Sequence, residues 1–376
     1  MKKQKVCIVG DGLTGLLSAV ALGELDLNIE IFGNFTKIKD PDIRTTALSP
    51  ASFNFLLKFI EKKHSKLFWP CKKIDLFNEI DGKVNFFMDF KNNRNNLMYI
   101  IQNIQLKKIL LDRIKQNKKI KIFNTRIKKI DEKSSSIILN NKKINFDCAL
   151  LCIGRNSNIT QSFVGKRKIS DNFNEIAYTS MVRHNDIITQ PKQYFFQEGP
   201  MAILPINKKE FSLVWSISKK NDVKTVKKTI TNKLVKYVFV KNPKLLKLGS
   251  FPIIFNFNSN LSRKNVLVMG EGAYSVHPLA GQGFNLILRD IKELQSLIKN
   301  NLSLGLQIKD SFLLKKFIKS RKPENLLFGM SLNLVHKFFK SNNIMNPMKK
   351  RIMKDLNKFE FLKKISLNIS NKGIFS

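Results

Sequence analysis

A glycine-rich turn near the start of the chain restricts the fold more than any other feature. Gly10, Gly12 and Gly15 form a Gly-x-Gly-x-x-Gly pattern that follows the apolar run of residues 6–9 and precedes a stretch rich in Leu and Ala. The first glycine permits a tight turn, the second lets a pyrophosphate approach the backbone, and the third allows the helix to pack on the strand. With a second apolar strand at residues 28–32, the pattern predicts a right-handed strand–helix–strand unit that binds a dinucleotide at the helix N-terminus.

The acidic residue that usually accompanies this turn is missing. It normally lies about 20 positions further on, at the end of the second strand, and holds a ribose hydroxyl. That position is Gly33 here, and the nearby Glu30 lies between Ile29 and Ile31, so its side chain should point away from theirs. The sequence therefore assigns no residue to the ribose contact.

The length and composition are those of a folded globular protein. The chain has 376 residues, of which 43% are hydrophobic and 25% charged, so it can form one large or two medium domains with an apolar core. Its formal charge of +39 admits three interpretations: nucleic-acid binding, adhesion to anionic lipid, or a general bias towards lysine. The lysines are scattered, and only two Trp and five Tyr are available to stack on bases. We therefore expect no nucleic-acid partner and keep the other two interpretations open.

Cysteine, histidine and hydropathy patterns limit the remaining classes. The four cysteines have no Cys-x-x-Cys spacing and the four histidines form no zinc pattern, so we expect free thiols in a reducing compartment and no metal site. The first five residues lead directly into a strand, without the apolar region of a signal peptide, and no run of about 18 apolar residues appears. We expect a cytoplasmic protein that is at most peripheral at the inner membrane.

Apolar periodicity divides the rest of the chain into strand-rich and helical parts. Residues 103–116 have the apolar spacing of an amphipathic helix. The region 175–257 is rich in strands and has one polar interruption at 219–236, which we predict to be helical. Helices dominate from Gly283 to the end, and residues 325–340 carry a broad apolar face. This alternation predicts an α/β fold in which a dinucleotide-binding domain is interleaved with a sheet-rich one.

A second glycine-rich segment, residues 268–286, is a more specific signal. A predicted strand ends at Gly270 with the carboxylate of Glu271 directly after it, and a loop containing Pro278 leads to Gly-Gln-Gly at the start of a helix. An ordinary strand–loop–helix connection would not require four glycines and a Gln-x-x-Asn pair in so short a stretch.

This segment resembles the second flavin-binding motif of the class A flavin monooxygenases, Gly-Asp-Ala-Ala-His-x-x-x-Pro-x-x-Gly-Gln-Gly-x-Asn. It is closer to the form in the ubiquinone-biosynthesis hydroxylases, the polyprenyl-methoxyphenol hydroxylase type. Further pieces of the family pattern follow in order at residues 44–49, 99–103, 154–157, 198–205, 212–215 and 317–325. The Glu-Gly-Pro-Met-Ala stretch at 198–202 is what indicates the quinone branch, and the resemblance covers nearly the whole chain.

The resemblance implies a Rossmann-type FAD-binding domain, an interleaved β-sheet substrate domain like that of aromatic-ring hydroxylases, and C-terminal helices. We expect the FAD-binding domain at residues 1–72, 100–165 and 262–300, the substrate domain at 73–99 and 166–261, and the C-terminal helical region at 301–376. It also implies an FAD-dependent monooxygenase that uses NAD(P)H and oxygen to hydroxylate, through a flavin hydroperoxide, the ring of a polyprenylated ubiquinone precursor. That phenol would arrive from the bilayer through an apolar tunnel lined partly by residues 325–340, and a quinone-biosynthesis complex is a further expected partner.

Residue roles transfer from the family only where the motif matches. The glycines of the first turn would hold the pyrophosphate, Arg44 and Gln102 would lie along the FAD, and Glu271 would bond the ribitol. The Gly-Gln-Gly segment would place a helix N-terminus beneath the pyrimidine edge of the flavin, where the reduced ring carries negative charge. The expected cofactor-binding residues are Gly10, Gly12, Leu13, Thr14, Gly15, Arg44, Gln102, Ile127, Gly270, Glu271, Pro278, Gly281, Gln282, Gly283 and Asn285. No catalytic residue is assigned; His277 is a candidate general base, and a loop histidine with a structural role is the alternative.

Departures from the family pattern leave other functions open. Glu271 stands where the family has Asp, Tyr274 replaces His, and Ile153 replaces an Asp tied to pyrophosphate and reduced-nicotinamide contacts. One alternative is another FAD-dependent oxidoreductase of the same fold, such as a reductase or a halogenase. A halogenase would require a tunnel motif containing Lys and Trp, which we do not find in the sequence. The other is a degenerate flavin-fold subunit that supports assembly of a quinone-biosynthesis complex.

Overall fold

The computed structural model describes residues 3–35, 42–92, 95–139, 142–165, 168–218, 223–278, 281–309, 311–340 and 360–373. The strands in these residues are β1 (Lys5–Val9), β2 (Asn28–Phe32), β3 (Thr45–Leu48), β4 (Trp69–Cys71), β5 (Lys73–Ile80), β6 (Lys83–Lys91), β7 (Met98–Gln102), β8 (Ile120–Phe123), β9 (Lys129–Asp131), β10 (Ser136–Leu139), β11 (Lys142–Asn145), β12 (Cys148–Leu151), β13 (Lys168–Arg183), β14 (Lys192–Phe196), β15 (Gly199–Pro205), β16 (Glu210–Ser218), β17 (Lys244–Asn258), β18 (Ser262–Arg263), β19 (Val266–Val268) and β20 (Tyr274–Ser275). The α-helices are α1 (Leu13–Gly23), α2 (Pro50–Leu56), α3 (Asn103–Gln116), α4 (Asn158–Val164), α5 (Val223–Tyr237), α6 (Gly283–Ser303), α7 (Ser311–Lys340) and α8 (Glu360–Lys372), with short 3-10 helices at Lys62–Leu67 and Gly270–Gly272.

A six-stranded sheet in the order β18-β19-β12-β1-β2-β8 carries the first glycine turn. All neighbours in it pair parallel except β18 with β19, and Val9, Leu151 and Val268 stand side by side in the register. The side chains of β12 are all buried, as expected for a parallel strand covered on both faces. Because parallel strands end at one edge of a sheet, the turns that follow β1, β12 and β19 lie together.

An eight-stranded sheet in the order β20-β17-β13-β16-β15-β14-β5-β6 forms the second large layer. Its pairs are antiparallel apart from β14 with β5. One face is closed by α5, whose Val226, Ile230 and Leu234 pack in one core cluster with Phe211 and Trp215 of β16. Helix α5 therefore covers one face of this sheet and leaves the other face to line a cavity.

Two three-stranded sheets, β3-β7-β4 and β11-β10-β9, complete the architecture. The α/β fold with parallel and antiparallel sheets and C-terminal helices confirms the predicted fold class, and α3 spans the predicted residues 103–116. The four cysteines are free and buried, as expected, and burial raises the pKa of Cys71, Cys148 and Cys152 to about 12. None of the helices that the structure describes is both long and apolar enough to cross a bilayer.

Candidate flavin site

The two glycine-rich turns predicted from the sequence touch each other. Gly270, two residues after the end of β19, has a φ of +69°, and a Cβ placed there would lie 2.8 Å from Oγ1 of Thr14 in the first turn. The Met269 N–H donates to the carbonyl of Leu151 at the end of β12, so the second turn continues the edge of the six-stranded sheet. The fold therefore brings the two motifs to one place.

The three glycines of the first turn do different work. Gly10 has a φ of +135°, and a Cβ there would lie 2.4 Å from the carbonyl oxygen of Cys152. A Cβ on Gly15 would lie 2.1 Å from the carbonyl oxygen of Gly10. A Cβ on Gly12 meets nothing within 4 Å. Gly10 and Gly15 are therefore required by packing, whereas Gly12 keeps space open at the N-terminus of α1.

A cavity of about 870 Å³ lies between the two turns. The expected cofactor-binding residues that line it are Gly10, Gly12, Leu13, Thr14, Arg44, Ile127, Glu271, Pro278, Gly281 and Gly283. Among its described lining residues the cavity does not include Gly15, Gln102, Gly270, Gln282 or Asn285. Gly15 and Gly270 act through the packing just described, and Gln102 places its Nε2 4.0 Å from Met181 Sδ on the eight-stranded sheet.

Gln282 and Asn285 are not among the described residues that line the cavity, but they form hydrogen bonds that hold its wall in place. The Ser49 N–H donates to Asn285 Oδ1 at 2.9 Å, and Asn285 Nδ2 donates to the Ala47 carbonyl at 2.9 Å and to Gln282 Oε1 at 3.4 Å. These bonds fasten the start of α6 to the segment that joins β3 to α2. Gly281 and Gly283 border the cavity, so the N-terminus of this 21-residue helix faces it. Its free N–H groups favour an anion there.

Arg44 lies between the cavity and a carboxylate that the sequence did not single out. Its Nε and Nη2 donate to the two oxygens of Asp42, each at 2.8 Å, and its guanidinium lies 5.0 Å from the centre of the Phe251 ring. Burial alone would raise the pKa of Asp42, but hydrogen bonds from Arg44 and Asn103 outweigh it and hold the pKa below its ordinary value. The hydrogen bond with Asp42, helped by the charge of Glu271, raises the pKa of Arg44. The pair is thus a fixed, bidentate polar group at the cavity wall.

Polar residues line the cavity close to Gly33, the position where the ribose acid is missing. Glu30 is buried and pairs with Lys5 Nζ at 3.1 Å, and it is not among the described residues that line the cavity. Asp11, Asn34 and Arg126 line the cavity instead. Asp11 accepts a hydrogen bond from the Asn34 N–H at 3.3 Å, close to Gly33. Sequence reasoning passed over these residues because a carboxylate inside the glycine turn is outside the usual spacing.

His277 belongs to a buried cluster with Glu175 of β13 and His336 of α7. The Nε2 atoms of His336 and His277 lie 3.2 and 3.5 Å from separate oxygens of Glu175, and the two rings stack at 4.1 Å with an angle of 24°. One ligand atom from each of the three residues lies within 4.8 Å of those of the other two, so the cluster could hold a metal ion, which the sequence did not predict. His277 is not among the described residues that line either cavity, and the cluster instead joins three distant elements.

Tyr274, at the position of the family histidine, is also held away from solvent. Its hydroxyl donates to Asp290 of α6, which accepts further bonds from Arg321 Nε at 2.8 Å and Asn325 Nδ2 at 2.9 Å. Burial, together with the charge of Asp290, raises the pKa of Tyr274 well above its ordinary value. The Arg-Lys-Pro-Glu-Asn stretch of the sequence therefore connects α7 to the wall of the flavin cavity.

A second cavity of about 440 Å³ adjoins the first. The two share a wall that includes Arg44, Ile153, Glu271, Val276 and Pro278. The floor of the second cavity is the open face of the eight-stranded sheet. None of its described lining residues comes from 325–340, where we expected part of a tunnel; Phe339 of α7 instead stacks on Phe195 of β14, with ring centres 3.6 Å apart.

Known proteins with related sequences extend over nearly the whole chain. No protein-family model matches it. The ubiquinone biosynthesis monooxygenase COQ6 of Dictyostelium discoideum is 24% identical over 97% of this chain and 90% of its own length. The 3-demethoxyubiquinol 3-hydroxylase of Escherichia coli (strain K12) is 22% identical over 90% of each chain.

Solved structures with the same fold are more distant in sequence. The p-nitrophenol 4-monooxygenase PnpA of Pseudomonas putida DLL-E4 has a TM-score of 0.82 at 14% identity, covering 100% of this chain and 99% of its own. HpxO of Klebsiella pneumoniae, solved with FAD and uric acid, has a TM-score of 0.77 at 12% identity, covering 99% and 98%. The chain is therefore similar in sequence to the ubiquinone-biosynthesis monooxygenases and has the fold of the FAD-dependent aromatic monooxygenases.

Proposed function

We propose that the protein is an FAD-dependent monooxygenase that hydroxylates the aromatic ring of a polyprenylated ubiquinone precursor. The observation that carries the proposal is the pair of adjoining cavities, one bordered by two glycine turns and a helix N-terminus, the other largely apolar. The names of the related proteins from Dictyostelium and Escherichia coli support the ubiquinone precursor as the substrate class.

The first cavity fits FAD. Its volume of about 870 Å³ lies in the range of cofactor sites. The open space beside Gly12 leaves the backbone accessible to a pyrophosphate at the N-terminus of α1. Arg44 and Glu271 are at the wall between the two cavities, where the middle of the cofactor would pass, and Glu271 would bond its ribitol. Bound FAD, once reduced by NAD(P)H, would supply the activated oxygen for the ring.

The protein contributes charge stabilisation and exclusion of water. The N-terminus of α6 at Gly283 would stabilise the negative charge of reduced flavin. Val276 and Pro278 border both cavities and would hold the substrate ring against the flavin. Apolar residues of the second cavity, such as Ile74, Leu204 and Phe251, would keep water from the reacting atoms.

The test of this function is a titration of purified protein with FAD, followed by turnover. We expect a flavin absorbance spectrum, a higher melting temperature with FAD, and oxygen-dependent NAD(P)H consumption that increases when a prenylated phenol is added. A ring-hydroxylated product, identified by mass, completes the test. Protein that neither gains absorbance nor melts at a higher temperature with excess FAD would refute the proposal.

A second candidate, a flavin-fold subunit that supports a quinone-biosynthesis complex, is favoured by one observation. Ile153, which replaces the family Asp, lines both cavities, so the site lacks a carboxylate where nicotinamide contacts are expected. We expect Ile153→Asp to speed reduction of bound FAD by NAD(P)H in stopped-flow absorbance. Protein that binds FAD and remains unreduced by NAD(P)H in both forms would favour the assembly role.

We further propose that the protein works at the periphery of the inner membrane. Leu327, Met330 and Leu334 are 47%, 47% and 68% exposed and lie at helical spacing on one face of α7. Apolar side chains with a strongly basic protein around them favour an anionic bilayer. We expect Leu334→Asp to lower the fraction that sediments with anionic phospholipid vesicles, whereas Leu304→Ser, at a position 72% exposed outside α7, leaves it unchanged. Equal sedimentation of both variants would contradict the proposal.

A further inference from the structure

A buried hydroxyl on the floor of the second cavity has no hydrogen-bond partner among the described residues. Thr179 of β13 is 2% exposed, and its Oγ1 forms no hydrogen bond within the residues that the structure describes. Buried polar groups in folded proteins are nearly always paired, so each exception needs a reason. The side chain lines the second cavity, which supplies one: the hydroxyl is available to a bound molecule.

The register of the sheet places this hydroxyl in an ordered row. Thr179 stands opposite Val214, Val214 opposite Ala202, and Ala202 opposite Gln193, and all four line the cavity. The preceding residue of β13, Tyr178, packs into the core under α5 on the opposite face. The floor is thus a row across four strands, with a hydroxyl at one end, an amide at the other and apolar side chains between them.

The hydroxyl lies at the flavin end of that row. Ser275 and Val276 border both cavities. Ser275 is the last residue of β20 and Val276 follows it, and β20 is the first strand in the sheet order β20-β17-β13-β16-β15-β14. Thr179 is on the third strand of that order and Gln193 on the sixth. Neighbouring strands are about 4.8 Å apart, so Gln193 is roughly 14 Å further along the floor than Thr179. Thr45 also has a hydroxyl that is unpaired within the described part of the chain, but it borders both cavities and is not specific to the second.

We propose that Thr179 anchors the ring hydroxyl of the substrate and thereby selects phenols with an apolar substituent. A threonine hydroxyl both donates and accepts, so Thr179 Oγ1 can donate its proton to the phenol oxygen or accept the phenol O–H. The bond would hold the ring at the flavin end, over Val214 and Ala202, and direct the apolar tail along the floor. This inference rests on the proposed monooxygenase function and names a specificity-determining residue for it.

The proposal predicts a particular pattern of discrimination. A site built to bond a hydroxyl rejects an analogue that lacks it, because the protein group is then left unpaired. Wild-type protein with FAD bound should bind 2-geranylphenol about tenfold or more tightly than geranylbenzene. Thr179→Val, which has nearly the same shape and no hydroxyl, should bind the two equally well. Thr179→Ser should keep the preference.

The experiment measures both dissociation constants from the change in flavin absorbance of the holoprotein. Thr160→Val is the matched control, because Thr160 is also a buried threonine with an unpaired Oγ1 among the described residues and lines neither cavity. It should keep the wild-type preference, and melting temperatures report whether each variant is folded. If Thr179→Val misfolds, Thr179→Ser and Thr179→Ala decide between the same outcomes.

The outcomes separate this inference from the proposed function. If wild-type protein binds and hydroxylates the phenol and Thr179→Val retains the preference, the anchoring role is wrong and the proposed function stands. If wild-type protein binds FAD but shows no preference for the phenol over geranylbenzene, the anchoring role is also wrong. If wild-type protein does not bind FAD, both fail. Loss of the preference in Thr179→Val alone supports the anchor.

Discussion

The two adjoining cavities are built in opposite ways. The flavin cavity is formed where parallel strands end, by short continuous stretches of sequence in which glycines such as Gly10, Gly12 and Gly270 keep side chains out of the way. The second cavity takes its floor from one residue on each of several antiparallel strands, among them Thr179, Val214 and Ala202. A cavity of the first kind depends on backbone conformation, and one of the second kind on sheet register. Substitutions should therefore damage them differently.

The largest expected effect is on stability, and it distinguishes Gly10, which is required by packing, from Gly12, which has open space around it. Gly10→Ala should lower the free energy of unfolding by about 3 kcal/mol, because it forces a side chain at a φ of +135° against the Cys152 carbonyl. Gly12→Ala has room and an ordinary φ of −80°, so it should change stability by less than about 0.5 kcal/mol while weakening FAD binding about tenfold. Urea unfolding and FAD titration measure the two effects. Equal losses of stability would show that the two glycines have the same role.

The next effect concerns the buried cluster of Glu175, His277 and His336. Glu175→Gln removes the carboxylate that faces His277 and His336 in the core, and we expect about 2 kcal/mol less stability because the buried hydrogen bond between Glu175 and His336 is weakened. Since Glu175 precedes Thr179 on the same strand, phenol binding should weaken more than FAD binding. Glu132→Gln, which breaks only the exposed pair with Arg263, should cost less than about 0.5 kcal/mol. A variant of Glu175 as stable as wild type would show that the cluster does not fasten β13.

The smallest expected effect is a pH dependence of FAD affinity that comes from the pair of Asp42 and Arg44 in the flavin cavity. The pKa of Asp42 is lowered in the folded protein, so its ion pair with Arg44 contributes above the ordinary carboxyl value and is lost as the pH falls through the lowered value. FAD affinity should therefore decline below about pH 4, where Arg44 loses its fixed orientation. In Asp42→Asn this component of the decline should be absent. Titrations of FAD into both proteins from pH 6 to pH 3 measure the difference, and parallel curves would exclude the pair as its cause.

The parts of the fold that sequence could predict are those that local patterns specify. The helix Asn103–Gln116 and the strands before both glycine turns follow from apolar spacing, and the turns from their glycines. The family resemblance implied that both glycine turns bind the same FAD, and the contact of Gly270 with Thr14 brings the turns together at one edge of the sheet.

The parts that could not be predicted depend on register. β13 has an irregularity between Asn172 and Glu175, and a shift of one residue there would reverse which side chains face the cavity. The roles of Glu175 and Thr179 are therefore not visible in their own sequence. The pair of Arg44 with Asp42 could not be predicted for a simpler reason: Asp42 lies just before residues 44–49, the part of the chain that matches the family pattern.

The buried thiol of Cys152 affects how well the protein resists oxidation. Flavoproteins that use oxygen release hydrogen peroxide whenever turnover is uncoupled, and peroxide attacks the thiolate form of cysteine. Burial raises the pKa of Cys152 to about 12, so the thiol directly behind Gly10 stays protonated and unreactive at neutral pH. If the proposed chemistry is correct, the protein should resist oxidative inactivation by its own by-product at this turn.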